Sequence, residues 1–136
     1  MARRVLLLPP GDPDRAETTR REVELTARWE PGVVGIAGWS DHGWEAVRLA
    51  GEHPEVERLV LLATPIDDAA HVPDIPAKTL LLFGTADERA GSRAARWWKE
   101  RIPSARIEMS PGRGHDDLLL PLWPRVLRHL APGSLR

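Results

Sequence analysis

The sequence predicts an α/β domain with three layers, a mainly parallel sheet of about five strands between helices. Short runs rich in Val, Leu and Ile alternate with longer stretches of helical period. The runs are apolar throughout rather than in alternation, as in strands covered on both faces. Clusters of Pro and Gly separate them. A chain of 136 residues suits a single domain with one sizeable core, and no repeat or interdomain linker interrupts it.

Val5–Leu8 reads as the first strand, stopped by the loop Pro9-Pro10-Gly11-Asp12-Pro13. Asp14 to Trp29 reads as one helix ending at Pro31-Gly32. Val33–Ala37 is the second strand, with Gly38 to Ser40 at its end. The spacing of Trp44, Val47 and Ala50 then predicts a helix from about Asp41 to His53. Val56–Ala63 is the third strand, and Pro65 to Pro76 is a connection with at most a short helix. Thr79–Phe83 is the fourth strand. Ser92 is placed to cap a helix running to Arg101. Arg106–Met109 is the fifth strand. A last helix starts near Pro121, aligns Val126, Leu127 and Leu130, and ends at Pro132-Gly133.

Composition removes several classes of function. Net charge is −1 with both signs interspersed, so no basic stripe follows a phosphate backbone and nucleic-acid binding is not expected. With no cysteine, disulfide frameworks, thiolate metal sites and cysteine nucleophiles are excluded. Asp67-Asp68 with His71 lacks a metal-ligand spacing, and neither metal nor cofactor is expected. The apolar runs are too short to span a bilayer. The basic start Met1 to Arg4 leads into an apolar run too short for a signal peptide, so a cytoplasmic location is the expectation. Arg far outnumbers Lys and Ala and Pro abound, a usage associated with GC-rich bacterial genomes.

Ligands of an open parallel sheet bind beyond the carboxyl ends of its strands. Three of those ends carry chemistry: Ser40 after the second strand, Asp87 after Gly84 at the fourth, and His115 after Gly112-Arg113-Gly114 at the fifth. Each has a plainer reading. Ser40 alone suits a helix N-cap, Asp87 a turn, and His115, beside Asp116 and Asp117, a solvated helix start. Trp39 suits either a pocket wall or packing beneath the turn. His42 is the other histidine close enough to the turn to be tested, while His53, His71 and His129 read as surface or capping residues.

Gly38-Trp39-Ser40-Asp41-His42-Gly43 resembles the Gly-x-Ser-x-Gly nucleophile elbow of the α/β-hydrolase family, and the order Ser…Asp…His is that family's order. The resemblance extends over roughly Val33 to Leu130, through the helix and strand after the elbow, the Ile75–Asp87 segment and Gly114-His115. It implies a serine hydrolase acting on a small-molecule acyl bond, with Ser40 as nucleophile, His115 as base and Asp87 orienting the imidazole. It also implies oxyanion donors at the backbone N–H groups of Asp41 and Gly11, since Pro9 and Pro10 have none.

The chain departs from that pattern in three places. His42 stands where the elbow has its second glycine, and a side chain there is expected to crowd the helix against the strand. Pro9-Pro10-Gly11 replaces the family's usual His-Gly loop. A single helix replaces the usual helix, strand and helix before the nucleophile strand. The strands are therefore expected in sequential order with most helices on one face. An apolar patch or edge left on the other face would be covered in a homodimer. No connection is long enough for a cap domain, so the site should be open to small substrates. A non-catalytic binding protein with a degraded oxyanion hole is the rival reading. A flavodoxin-like or receiver-like module lacks a phosphate cradle and a suitably placed lysine.

Overall fold

Val5, Leu6 and Leu7 are buried in consecutive positions of β1 (Arg3–Leu8), so both faces of that strand are covered. The same holds for β3 (Val33–Trp39), β4 (Arg58–Leu62) and β5 (Lys78–Gly84). A strand without a solvent face needs helices above and below it, which parallel crossovers supply. The computed structural model describes residues 2–133, so Met1 of the basic start lies outside them. The other elements are α1 (Arg15–Arg20), β2 (Val23–Thr26), α2 (Gly43–Glu52), α3 (Ser92–Arg101), β6 (Arg106–Ser110) and α4 (Trp123–Leu130).

The sheet has six parallel strands in the order β2-β1-β3-β4-β5-β6, rather than about five. The difference lies in Asp14–Trp29, which is not one helix. Asp14 caps α1 by accepting the Glu17 N–H at 3.1 Å, but the helix lasts only six residues. Thr18 and Thr19 are weak helix formers, and Glu22 turns the chain through the left-handed region at φ 58. Val-Glu-Leu-Thr then runs extended as an edge strand, with Val23 and Thr26 buried and Glu24 exposed. Because β2 lies outside β1, the chain crosses back to reach β3. The order reverses at β1 instead of running sequentially.

That reversal distributes the helices evenly. Trp44 of α2 lies 5.8 Å from Trp97 and 4.7 Å from Trp98 of α3, ring to ring, so α2 and α3 share a face. Trp123 Nε1 of α4 donates to Thr18 Oγ1 of α1 at 2.8 Å, which places those two helices together on the other. Two helices per face correct the expectation of a face covered chiefly by the C-terminal helix. Leu120 is the one large apolar side chain standing exposed among the described residues.

Trp98 is fully buried and its Nε1 donates to the Thr64 carbonyl at 2.9 Å, tying α3 to the end of β4. Trp44 is half-buried against it. Ser92 is the first residue of α3 rather than its cap. Gly91 holds the cap position without a side-chain hydrogen bond. Among the described residues no helix is long and apolar enough to cross a membrane.

His129, near the end of α4, donates from Nε2 to the Lys78 carbonyl at 3.0 Å. Burial holds its pKa below the ordinary histidine value. The carbonyl bond opposes that shift, while the Arg58 and Arg125 charges reinforce it. The unfolded chain therefore binds this proton at higher pH than the folded protein does. Stability should fall as pH drops through about 6.5, levelling once the folded-state pKa is passed. The urea midpoint of the wild type should drop more between about pH 7 and pH 5.5 than that of His129→Gln, whose amide can still reach the carbonyl. Equal drops contradict this.

Candidate active site

The first component of the site is a strained turn at the end of β3. Trp39 is extended, and Ser40 then enters the left-handed region at φ 55 as a single 3₁₀ turn, Ser40–His42, leads into α2. A non-glycine residue there costs about 1–2 kcal/mol. Close packing holds it in place, because α2 descends directly onto the sheet. A Cβ on Gly38 would lie 2.6 Å from the Gly43 Cα, and one on Gly43 would lie 1.9 Å from Thr64 Oγ1. The close approach is therefore made by Gly43, and His42 points outward, exposed. The expectation that His42 crowds the helix against the strand is corrected. Ser40 itself is buried, 3% exposed.

The second component comes from interlocked loops after β5 and β6. The Thr85 N–H donates to Ser110 O at 3.0 Å, the Ala86 N–H to Arg113 O at 3.0 Å, and the Gly112 N–H to Thr85 Oγ1 at 2.7 Å. Only a glycine fits at 84, where a Cβ would stand 2.2 Å from the Arg113 carbonyl oxygen. This lacing sets the chain positions of Asp87 and His115 relative to each other.

Asp87 has a fully buried carboxylate. Its Oδ1 accepts the backbone N–H groups of Arg89 and Ala90, both at 2.8 Å, and its Oδ2 lies 2.8 Å from His115 Nδ1. An ionised carboxylate only accepts, so Nδ1 is the protonated ring nitrogen and Nε2 is left bare. Nε2 faces Ser40 Oγ at 2.7 Å. The three side chains form one hydrogen-bonded chain, serine to histidine to aspartate. Chemically this can draw the hydroxyl proton toward Nε2 while the aspartate offsets the charge that results.

Two clefts are lined by residues adjoining the site. One, of about 520 Å³, is lined by Pro9, Gly11, Trp39, Leu119 and Leu120 among others. The Trp39 ring lies 5.4 Å from that of His115. The other, of about 470 Å³, runs past Asp87 and Arg89 to Ile66 and the start of α3. Trp39 and Gly11 thus share a cleft, whereas His42 lines neither. The Asp41 side chain turns outward and accepts from Arg89 Nη2 at 2.6 Å.

Arg89 is the residue that the sequence reading missed. Its Nη1 lies 3.3 Å from Ser40 Oγ and 3.5 Å from His115 Nε2. Nothing in an arginine-rich chain marks this one beyond its place two residues after Asp87. Among the described residues no group of His, Asp and Glu is arranged to hold a metal ion.

No family model matches the chain, and no curated protein matches it. Solved structures do. A protein of unknown function from Agrobacterium tumefaciens, provisionally called an alpha/beta hydrolase, superposes with a TM-score of 0.71 at 15% identity over 99% of this chain and 88% of that one. A carboxylesterase from Bacillus subtilis gives 0.66 at 15% identity, over 97% of this chain and 85% of that one. An alpha-beta serine hydrolase homologue from Coxiella burnetii gives 0.60 at 19% identity, over 85% of this chain but 53% of that one, so this chain spans about half of that larger relative. The fold is that of the α/β hydrolases in a minimal, six-stranded form. The proteins that share it here are hydrolases and esterases by description.

Replacing Asp87 by Ala strips an acceptor from two backbone N–H groups and one ring N–H in a buried setting. The expected cost is about 2–4 kcal/mol in urea unfolding. Asp87→Asn keeps an acceptor for the two backbone donors and should lose less than half as much. An Ala variant as stable as the wild type contradicts the structural role of this carboxylate.

Proposed function

We propose that the protein is a serine hydrolase that cleaves a small carboxylic ester or related acyl bond through an acyl-enzyme on Ser40. The observation that carries this reading is the 2.7 Å contact between Ser40 Oγ and a His115 Nε2 whose other nitrogen is held by Asp87 at 2.8 Å. As Oγ bonds to the acyl carbon, Nε2 takes its proton. The tetrahedral oxyanion then collapses, the bond to the alcohol oxygen breaks, and Nε2 returns the proton to that oxygen. Water enters by the same route, giving a proton to Nε2 and its hydroxyl to the acyl carbon; the bond to Oγ then breaks, Nε2 returns the proton to Oγ, and the acid leaves.

The oxyanion needs donors fixed in advance, and losing one such donor typically costs about 10²–10³ in rate. The N–H of Asp41, at the start of the turn into α2, and the N–H of Gly11 are assigned here. A hydrolase-like protein that binds without turnover is the second reading. The Pro9-Pro10 pair favours it, because it leaves few N–H groups in that loop. The short Pro65–Pro76 connection leaves the clefts open, which suits small substrates.

A fluorophosphonate probe and a short p-nitrophenyl ester decide between the readings. The hydrolase reading expects stoichiometric labelling at Ser40 and ester turnover, with both lost in Ser40→Ala. A wild-type protein silent in both assays overturns it and leaves the binding protein.

A further inference from the structure

From the position of the Arg89 guanidinium, we infer that the preferred substrate carries a carboxylate on its acyl side, close to the scissile carbonyl. The inference rests on the hydrolase reading and names its substrate class. Arg89 is anchored at its root, where its N–H donates to Asp87 Oδ1 at 2.8 Å. From there the side chain reaches over the serine–histidine pair, with Nη1 3.3 Å from Ser40 Oγ. Nη2 meets Asp41 Oδ2 at 2.6 Å beyond it. A substrate bonded at Oγ therefore lies beside this guanidinium.

The ion pair itself does not account for the arrangement. Arg89 and Asp41 are 54% and 64% exposed, and pairs so exposed to water contribute little to stability. Such a pair is also easily exchanged. An incoming carboxylate can replace that of Asp41 on the planar fork, a geometry that guanidinium matches in two parallel hydrogen bonds. A neutral ester offers nothing to exchange and leaves the guanidinium paired with Asp41. In the free protein the Asp41 carboxylate holds one arm of that fork, Nη2.

Distance limits the chemistry further. A carboxylate oxygen at about 2.8 Å from Nη1 stands within about 6 Å of Oγ, so roughly one to three carbons separate it from the acyl carbon. Malonyl, succinyl and glutaryl esters fall in that range. The anion belongs over Ser40 and not deep in the neighbouring cleft, because Asp68 and Glu88 line that cleft alongside Arg93. We place it on the acyl side because Nη1 donates to Oγ, the atom that bonds to the acyl carbon.

The test compares monophenyl succinate with phenyl succinamate, a neutral ester of the same shape. Fluorophosphonate labelling of Ser40 is run in parallel on every protein. The wild type should favour the anionic ester by about tenfold or more in kcat/KM. In Arg89→Gln the ratio should fall to near one, chiefly through KM. Arg89→Lys should keep part of the preference. Asp41→Asn, which removes the competing carboxylate, should lower KM for the anionic ester. If Ser40 is labelled yet the wild type shows no preference, or Arg89→Gln retains it, the substrate class is overturned while the hydrolase reading stands. If Ser40 is not labelled, the hydrolase reading fails and takes this inference with it.

Discussion

A single buried carboxylate joins the parts of this site. Asp87 takes two backbone N–H groups on one oxygen and the His115 ring on the other. Those bonds fix the ring's orientation and tautomer, and they also bring the root of Arg89 to its place. The carboxylate can be buried only because three donors meet it. Its position depends in turn on the backbone lacing between the loops after β5 and β6. Folding of two adjacent strand ends and assembly of the site are therefore one event.

The strain at Ser40 belongs to the same economy of form. A left-handed serine is disfavoured in isolation, yet helix α2 is pressed so close to the sheet that the chain has no gentler route. The close contact falls on Gly43, one place later than in the Gly-x-Ser-x-Gly pattern, and it is Thr64 at the end of β4 that fills the space beside it. His42 is free to face solvent as a result. The elbow geometry survives the altered spacing because what matters is which residue touches the strand.

The core of the fold was legible because β1, β3, β4 and β5 are apolar runs whose two faces are both covered, a pattern visible in the order of the residues. The edge was not. Val23-Glu24-Leu25-Thr26 is short and half polar, and it directly follows a true helix start at Asp14, so a helical period could be drawn through it. Missing that strand also hid the reversal at β1 and the second helix on the α1–α4 face. Ser40, Asp87 and His115 stood out because glycines and strand ends frame them. Arg89 did not, because its contacts with Ser40 and Asp41 come from the reach of a long side chain across the fold, which no local pattern records.

What remains decisive is the protonation pattern of the His115 ring, since the account needs a proton on Nδ1 facing Asp87 and a bare Nε2 facing Ser40. Nitrogen-15 NMR of the histidine-labelled protein above the ring's titration reads this directly. The account predicts the Nδ1–H tautomer for His115, changed in Asp87→Asn. A His115 ring in the Nε2–H form, indifferent to substitution at Asp87, would contradict it.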